Sequence, residues 1–537
     1  MSTAPQPDLA STKSRWSTHP WLGVFGVLLG AMIASFAGRL LSIGLADVRS
    51  GLGLGVDEAS WLGTVFNAAL AFVGPFSVYL GGLLGARRVL LGCSILYTII
   101  SLLLPLVGHG PVLFILLALA GLTAGTFYPL TLTFILRNLP PKFLLLGISM
   151  YAMDIVFTTY IATSVEAWYT EHFSWHWIFW NSAILTPIMF VLIFFGIPRQ
   201  PLSKPKEGQP RPSWRGFFYT STAFALLYAA FDQGQRLDWL NSGTIVALLS
   251  TTLFLFCCIL VRRIVYPNPL IDVAFLAQWN IVLLAISLAF FRLLMLAAVI
   301  GVPNFLATAQ GYKALQTGSF FFWLALPQIA FSLLAMLLLR WIDTRLIFAA
   351  GFFILGIGCL LSARVTSVWS GDNFTPVLLI FSFGFAFTFN GLVATIVQQA
   401  INVGAMDQPI KALTFGGFFQ SVRLIGGQLG TAWFLHTLSV REQFHSNVLV
   451  DYANAGSVAA QHRFAILRAG MSQHIDASAA AERAAALLGL QVRLQAFTLA
   501  IADMFHLLAC AALIAMLVVA LLKPVRILLR DMIAKQA

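Results

Sequence analysis

Apolar runs of about 20 residues alternate with short polar stretches along most of the chain, the pattern of helices that each cross a bilayer. About fourteen such runs are expected, near residues 19–45, 58–84, 88–107, 111–136, 143–168, 175–197, 214–232, 241–262, 279–307, 316–339, 345–366, 375–400, 410–438 and 496–522. An even number places both termini on one face. The series pauses after the sixth run at IPRQPLSKPKEGQPRPSW, a Pro- and Lys-rich linker. Two runs follow, then six more. This layout predicts an all-α membrane protein with two six-helix bundles, 19–197 and 279–522, and an inserted helix pair at 214–262. Residues 1–18, 198–213 and 523–537 are read as a polar head, linker and tail on one side. The one large loop, 440–495, holds Ala- and Leu-rich pieces with polar residues at helical spacing, expected to form external amphipathic helices near the membrane surface.

Composition agrees with this pattern: 59% of the 537 residues are hydrophobic and 10% charged, against roughly 25% charged in soluble domains. The first run is too long for a signal h-region and lacks a small-residue cleavage site, so it is kept as a span. The net charge of +12 could indicate a nucleic-acid partner, but Lys and Arg sort to one side of the expected topology. Arg87, Arg88, Arg137, Lys142, Arg262, Arg263, Arg340 and Arg345 fall on the side of the termini. By the excess of basic residues in short cytoplasmic loops, that side is expected to be the cytoplasm. Cys93, Cys257, Cys258, Cys359 and Cys510 lie in apolar segments without metal-ligand spacing and are read as buried hydrophobes.

Several ordered pieces carry a family resemblance: YPLTLTFILRNLPP after span 4, SWHWIFWN opening span 6, DQGQRLDWLNS between the inserted spans, GYKALQTGSFF before span 10, SVRLIGGQLG in span 13 and VREQFHSNVLV at the start of the large loop. Together they resemble the fourteen-spanner drug:proton antiporter branch of the major facilitator superfamily. The resemblance implies a major facilitator fold of 14 transmembrane helices and a proton-driven exporter in a bacterial inner membrane. It also implies delivery of small molecules to a periplasmic adaptor and an outer-membrane channel, with loop 440–495 one place for the adaptor to dock. The family's usual span-1 Asp-Thr-Thr is replaced here by Ala37, Gly38 and Arg39, and its span-4 Arg by Leu117. The loop after span 2 retains Gly85, Arg87 and Arg88 but loses the charge before them, and the span-5 Gly/Pro motif becomes ATSVEA, Ala162 to Ala167.

Charges inside a bilayer are costly and generally face a cavity or a partner, which makes them the first candidates for chemistry. Arg39 lies about 27 Å along its helix from Trp21 at roughly 1.5 Å per residue. It either snorkels to the interface or faces a central cleft, pairing with Asp154 or Glu166 or binding an anionic substrate with its planar fork. Asp154, followed by Thr158, Thr159 and Thr163, is the first candidate for a relocated proton carrier, and a structural ion pair is the plainer reading. Glu166, near the outer end of the same helix, ranks second and could simply be wet. Arg292 in LAFFRLLML occupies the counterpart of span 1 in the second half. With Arg39 it would give the cleft a positive field, unless it only ties helices together. Asp503 with His506 one turn on could relay protons or form a packing pair. Arg423 is read as mostly structural, and Gly426 and Gly430 as a small-residue face for close helix approach. Asn67, Tyr128, Phe385, Phe389 and Asn390 are candidate pocket walls for oily compounds, with plain helix packing the alternative for the Phe stripe.

No Walker A pattern, H-E-x-x-H or nucleophile elbow in a plausible context is present, so neither ATP hydrolysis nor metal-assisted hydrolysis has support. The expectation is therefore a transporter rather than an enzyme. It needs no cofactor or metal, works as a monomeric unit among membrane lipid, and binds small molecules and protons. Two rivals stand beside it: an exporter of one lipophilic organic anion, such as a fatty or aromatic acid, and a non-coupled structural or lipid-handling membrane component.

Overall fold

A computed structural model describes residues 20–108, 110–139, 143–198, 214–265, 276–404, 409–454 and 457–524. The polar head, nearly all of the linker and nearly all of the tail expected from the sequence lie outside the described residues. Among the described residues there is helix and no strand.

The first six spans are α1 (Pro20–Ile43), α3 (Val56–Leu80), α4 (Ala86–Leu103), the pair α5 (Pro111–Ala124) and α6 (Phe127–Asn138), α7 (Leu144–His172) and α8 (Trp177–Gly196), with a short α2 (Leu45–Leu52) after α1. Then come α9 (Trp214–Gly234) and α10 (Gly243–Val265). The last six are α11 (Trp279–Leu296) with α12 (Val302–Gln310), α13 (Ala314–Leu338), α14 (Thr344–Ser362), α15 (Gly371–Asn402), α16 (Pro409–Asn454) and α18 (Ala477–Ala520), with α17 (Val458–Met471) between the final two. Twelve of these stretches are long and apolar enough to cross a membrane. The other two expected spans, α9 and α16, are diluted by polar residues such as Thr220, Asp232, Gln420, Arg423 and Gln428, yet pack in the same bundle.

Within hydrocarbon no hydrophobic force draws helix to helix, so close shape and interhelical hydrogen bonds must hold the bundle. Small residues allow the approach. A Cβ placed on Gly196 of α8 would lie 2.0 Å from the backbone nitrogen of Gly23 on α1, and one on Gly351 of α14 would lie 2.3 Å from that of Thr388 on α15. Gly426 and Gly430 of α16 meet Ala289 and Leu293 of α11 at 3.3 and 3.4 Å in the same sense, as their spacing suggests. The two halves meet along two lines: α7 packs on α13 and α15, and α3 packs on α16. Helix α9 lies against both α3 and α16, and α10 packs on α9. Helix α15 is central, with 83% of its spanning window buried, and α10 peripheral, with 11%.

Three local features differ from expectation. Span 4 breaks at Gly125 and Thr126, so Tyr128 sits in the first turn of a new helix. Span 9 is interrupted by a π-helical turn, Ala297–Gly301. Loop 440–495 is helical, with α17 as a helix of its own, but the rest of it extends the two neighbouring spans. With no Gly or Pro between Thr431 and Gly456, α16 continues without a break to Asn454, and α18 begins at Ala477. At roughly 1.5 Å per residue each is well over 60 Å long, about twice the hydrocarbon thickness. Their ends project from the bundle opposite the end where α1 begins and α18 finishes, called here the far end, with α17 packed on α18.

Candidate functional site

Two arginines from opposite halves come within electrostatic reach of each other inside the bundle. Arg39 of α1 points inward, not toward lipid: its Nη2 donates to the Val299 carbonyl of the π-helical turn, 3.3 Å away across the interface between the halves. The local chain makes that acceptor available. Pro303, four residues on, has no N–H to close an α-helical bond to Val299, which leaves a backbone carbonyl turned to a side chain. No carboxylate lies within ion-pair distance of Arg39 among the described residues, so the expected pairing with Asp154 or Glu166 is not made; the arginine takes a neutral carbonyl instead. The Nε atoms of Arg39 and Arg292 are both buried without a hydrogen-bond partner.

Arg292 of α11 lies against the backbone of Gly427 on α16, where a Cβ would come within 2.7 Å of its Nε, and its Nη1 faces the Met295 sulfur at 3.8 Å. The second glycine of the SVRLIGGQLG piece thus makes room for a guanidinium. Arg292 is within electrostatic reach of Arg39, of Arg423, and of the phenols of Tyr128, Tyr160 and Tyr228. Arg423 of α16 is not only a helix tie. Its guanidinium lies 3.6 Å above the Tyr128 ring at the break in span 4, with Nε donating to Gln420 at 3.2 Å. Tyr128 in turn packs at 5.3 Å on Tyr151 of α7. The result is three permanent cations along the contact of the two halves, one over a tyrosine ring and the other two within electrostatic reach of tyrosine phenols.

The carboxylates are set apart from these cations. Asp154 is partly buried on α7, within electrostatic reach of Tyr128 and Tyr151, and its Oδ2 is enclosed without a hydrogen-bond partner. It forms no structural ion pair, since no Arg or Lys approaches it within 4.0 Å among the described residues. Glu166 is 1% exposed rather than wet, because the turn from α1 into α2 closes over it at Gly44. Asp503 is not partnered by His506, whose Nδ1 faces the Ala502 carbonyl of its own helix at 3.0 Å. It binds Arg441 and His445 of the projecting part of α16 instead, which removes it from the central site.

The candidate walls separate likewise. Phe385 and Phe389 line no open face in this conformation: Phe389 stacks on Phe291 at 4.7 Å, and Phe385 is covered by Phe291, Phe381 and Tyr160. That is packing between α7, α11 and α15. Asn390 is fully buried, donating to the Ala386 carbonyl and leaving its Oδ1 without a partner. Asn67 donates to the Gly63 carbonyl at 3.0 Å, and its Oδ1 lies beside Gly38, one residue from Arg39.

Sequence reasoning misses a second polar group, at the end of α9. Asp232 accepts from Thr64 Oγ1 of α3 through Oδ2 and from Gln428 Nε2 of α16 through Oδ1, the latter at 2.7 Å. The DQGQR piece reads as the start of a loop, which hides its residues as members of the bundle. The signal that could place it is the lack of any helix breaker before Gly234.

These features define a helical membrane transporter with two halves around a polar midline, and sequence and structure comparisons agree. The sequence matches the Major Facilitator Superfamily over residues 27–431, and the chain belongs to that family. It is 22% identical over 443 residues to the "Probable multidrug resistance protein EmrY" of Escherichia coli strain K12, covering 80% of this chain and 82% of the relative. It is 22% identical over 313 residues to the "Fatty acid resistance protein FarB" of Neisseria gonorrhoeae, covering 58% and 60%. The proton:xylose symporter XylE bound to 6-bromo-6-deoxy-D-glucose superimposes with a TM-score of 0.57 at 10% identity, over 97% of this chain and 99% of that one. The protein is a multi-pass transporter of the efflux type, not an enzyme.

Proposed function

We propose that this transporter exports amphipathic small molecules at the expense of the proton gradient, and that organic acids with an apolar body are the cargo its interior fits best. The carrying observation is the placement of Arg39 and Arg292, contributed by opposite halves, neither with a carboxylate in ion-pair range among the described residues. A buried cation without a counter-ion is costly, and an entering carboxylate would lower that cost, with the neighbouring aromatic faces reaching the apolar body only once the halves part. The FarB name, which speaks of fatty acid resistance, supports the same cargo class. Asp154 is the proposed proton carrier, since it has an enclosed, unpartnered oxygen and no structural ion pair to maintain. The proposed setting is a bacterial inner membrane with both termini cytoplasmic, a monomeric pump, and an adaptor seated on the far-end projection of α16, α17 and α18.

Charge bookkeeping supplies the test. A monoanion leaving while one proton enters moves two positive charges inward, so each 100 mV of membrane potential would contribute about 4.6 kcal/mol, twice the 2.3 kcal/mol per charge. A monocation exchanged for one proton moves no net charge. In proteoliposomes, an imposed inside-negative potential should therefore accelerate export of a lipophilic acid and leave a cationic dye unaffected. Arg292→Gln should slow the acid about tenfold or more and the dye less than about twofold, one lost charge-assisted contact accounting for the difference. Asp154→Asn should abolish proton-linked export of both. Equal losses for acid and dye in the Arg292 variant, or proton uptake that persists without Asp154, would overturn the corresponding half of the reading.

A further inference from the structure

The last turn of α9 and the residues after it place one side chain after another alternately on the two halves. Asp232 reaches both, through Thr64 on α3 and Gln428 on α16. Gln233 Nε2 donates back to the N-terminal half, to Thr64 Oγ1 and to the Ser60 carbonyl. Gln235 Oε1 meets His436 Nδ1 of α16 at 3.2 Å. Arg236 returns to the first half, binding Asp57 at the start of α3, and its Nε donates to Gln233. All of this lies at the far end, on the α3–α16 side of the contact between halves. At the same end Arg39 bridges to Val299 and Ser164 Oγ donates to the Gly318 carbonyl, so the far end is closed on several sides.

The inserted pair is thus more than a passenger beside the two bundles. Asp232 has no cation within ion-pair distance among the described residues, and neutral hydroxyl and amide donors satisfy it. Thr64 donates its single proton to Asp232 and accepts from Gln233, which gives the group a defined direction. Parting α3 from α16 at this end would strip a partly buried carboxylate of one partner, and the cost of an unpaired polar group is what would hold the gate.

The geometry points to α9 as the latch of the far-end gate, with Asp232 the positioning residue whose bond to Gln428 keeps the two halves closed there. Opening toward the far end then requires this bond to break, along with the Gln235–His436 contact and the bonds of Arg39 and Ser164 across the halves. The bonds to Thr64, Ser60 and Asp57 keep α9 on the first half. The inserted pair would travel with α3.

The test needs no cargo, so its failure is separate from failure of the cargo reading. In full-length protein in liposomes, with the five native cysteines replaced by alanine, Val299→Cys reports on the space between the halves. A membrane-impermeant maleimide added on the far side should label it slowly. Asp232→Ala and Gln428→Ala should each speed labelling about tenfold, the population shift that loss of one buried hydrogen bond allows. The double variant should be no faster than either single one. Asp232→Asn should stay near the parent rate, because the amide can accept from Thr64 and donate to Gln428. Unchanged labelling in both alanine variants, with monodisperse protein by gel filtration, would overturn the latch, because a merely structural tie lowers melting temperature without opening the gate. Labelling of Asp232→Asn as fast as that of Asp232→Ala would also overturn it, by showing that charge rather than the hydrogen bond holds the halves.

Discussion

The two halves touch along two lines built on different physics. On one, α7 meets α13 through shape: Tyr160 stacks on Phe321 at 6.2 Å, and Gly318 lets the Ser164 hydroxyl reach its carbonyl at 2.6 Å. On the other, α3 and α16 are joined through α9 by carboxylate, amide and hydroxyl groups around Asp232. A seam of shape depends on volume and tolerates loss of a contact, whereas a polar seam depends on pairing and tolerates added volume. Neither can rely on the hydrophobic effect inside a bilayer, since lipid tails are as apolar as the helices. The difference teaches where each seam can be broken: the first by adding atoms, the second by removing a partner.

The largest effect is expected from Gly318→Leu. A Cβ alone at this position would lie 3.1 Å from the Ser164 Cα, 3.2 Å from the Ala167 Cβ and 3.3 Å from the Thr163 carbonyl oxygen. Leucine adds three more carbons in the same direction, against α7 backbone that cannot swing away as a side chain could. Overpacking of this kind costs about 1–3 kcal/mol. Export should fall to background and the thermal midpoint should drop. Ala247→Leu, the same type of enlargement on the exposed face of α10, should change neither. If Gly318→Leu transports normally, the α7–α13 line is not a seam of shape.

The all-α membrane fold and the family are legible in the chain, since long apolar runs and the family pieces depend only on local composition and order. Helix rotation is not. Whether Arg39 faces lipid or a cleft cannot be read from its run, although Pro303 marks a carbonyl without an α-helical partner and so hints at an acceptor. Read locally, Asp503 pairs with its neighbour His506, but its partners Arg441 and His445 are 62 and 58 residues away. They become neighbours only because α16 continues past the membrane. Phe385 and Phe389 illustrate the opposite failure. A stripe at helical spacing says that a face is apolar, and only Phe291, opposite, decides that it is covered. Asp232 is hidden by its setting, because polar residues near a Gly resemble a loop until three helices are brought together.

Another contact between the halves, Arg423 over Tyr128, combines the two kinds of seam, and its loss should have an intermediate effect. A guanidinium 3.6 Å above a buried ring, itself half-buried, gains about 1 kcal/mol. Arg423→Leu should therefore lower stability by about that amount. Tyr128→Phe, which keeps the ring face, should lower it by much less. A double-mutant cycle between Arg423→Leu and Tyr128→Leu, followed by chemical denaturation in detergent, isolates the pair term. A coupling near zero would mean that Arg423 acts through Gln420 alone and that this contact belongs with the polar seam.

The smallest effect is expected at the rim of the polar seam, and it asks whether the strength lies inside or at the surface. Arg236 binds both Asp57 and Gln233, so by inspection it is as well connected as Asp232. Yet the Asp57 side chain is 89% exposed, and water competes for each end of the pair. Exposed ion pairs contribute about 0–1 kcal/mol and are weakened further by salt. Arg236→Gln should accordingly shift the thermal midpoint by only a degree or two, and adding about 0.5 M NaCl to the parent protein should mimic it, since the Debye length is then under about 10 Å. Far-side labelling of Val299→Cys should remain at the parent rate. A variant at Arg236 that opens the far end as fully as one at Asp232 would move the polar seam's strength from the carboxylate inside the bundle to the wet pair at its edge. The contrast between seams would then reduce to one of exposure.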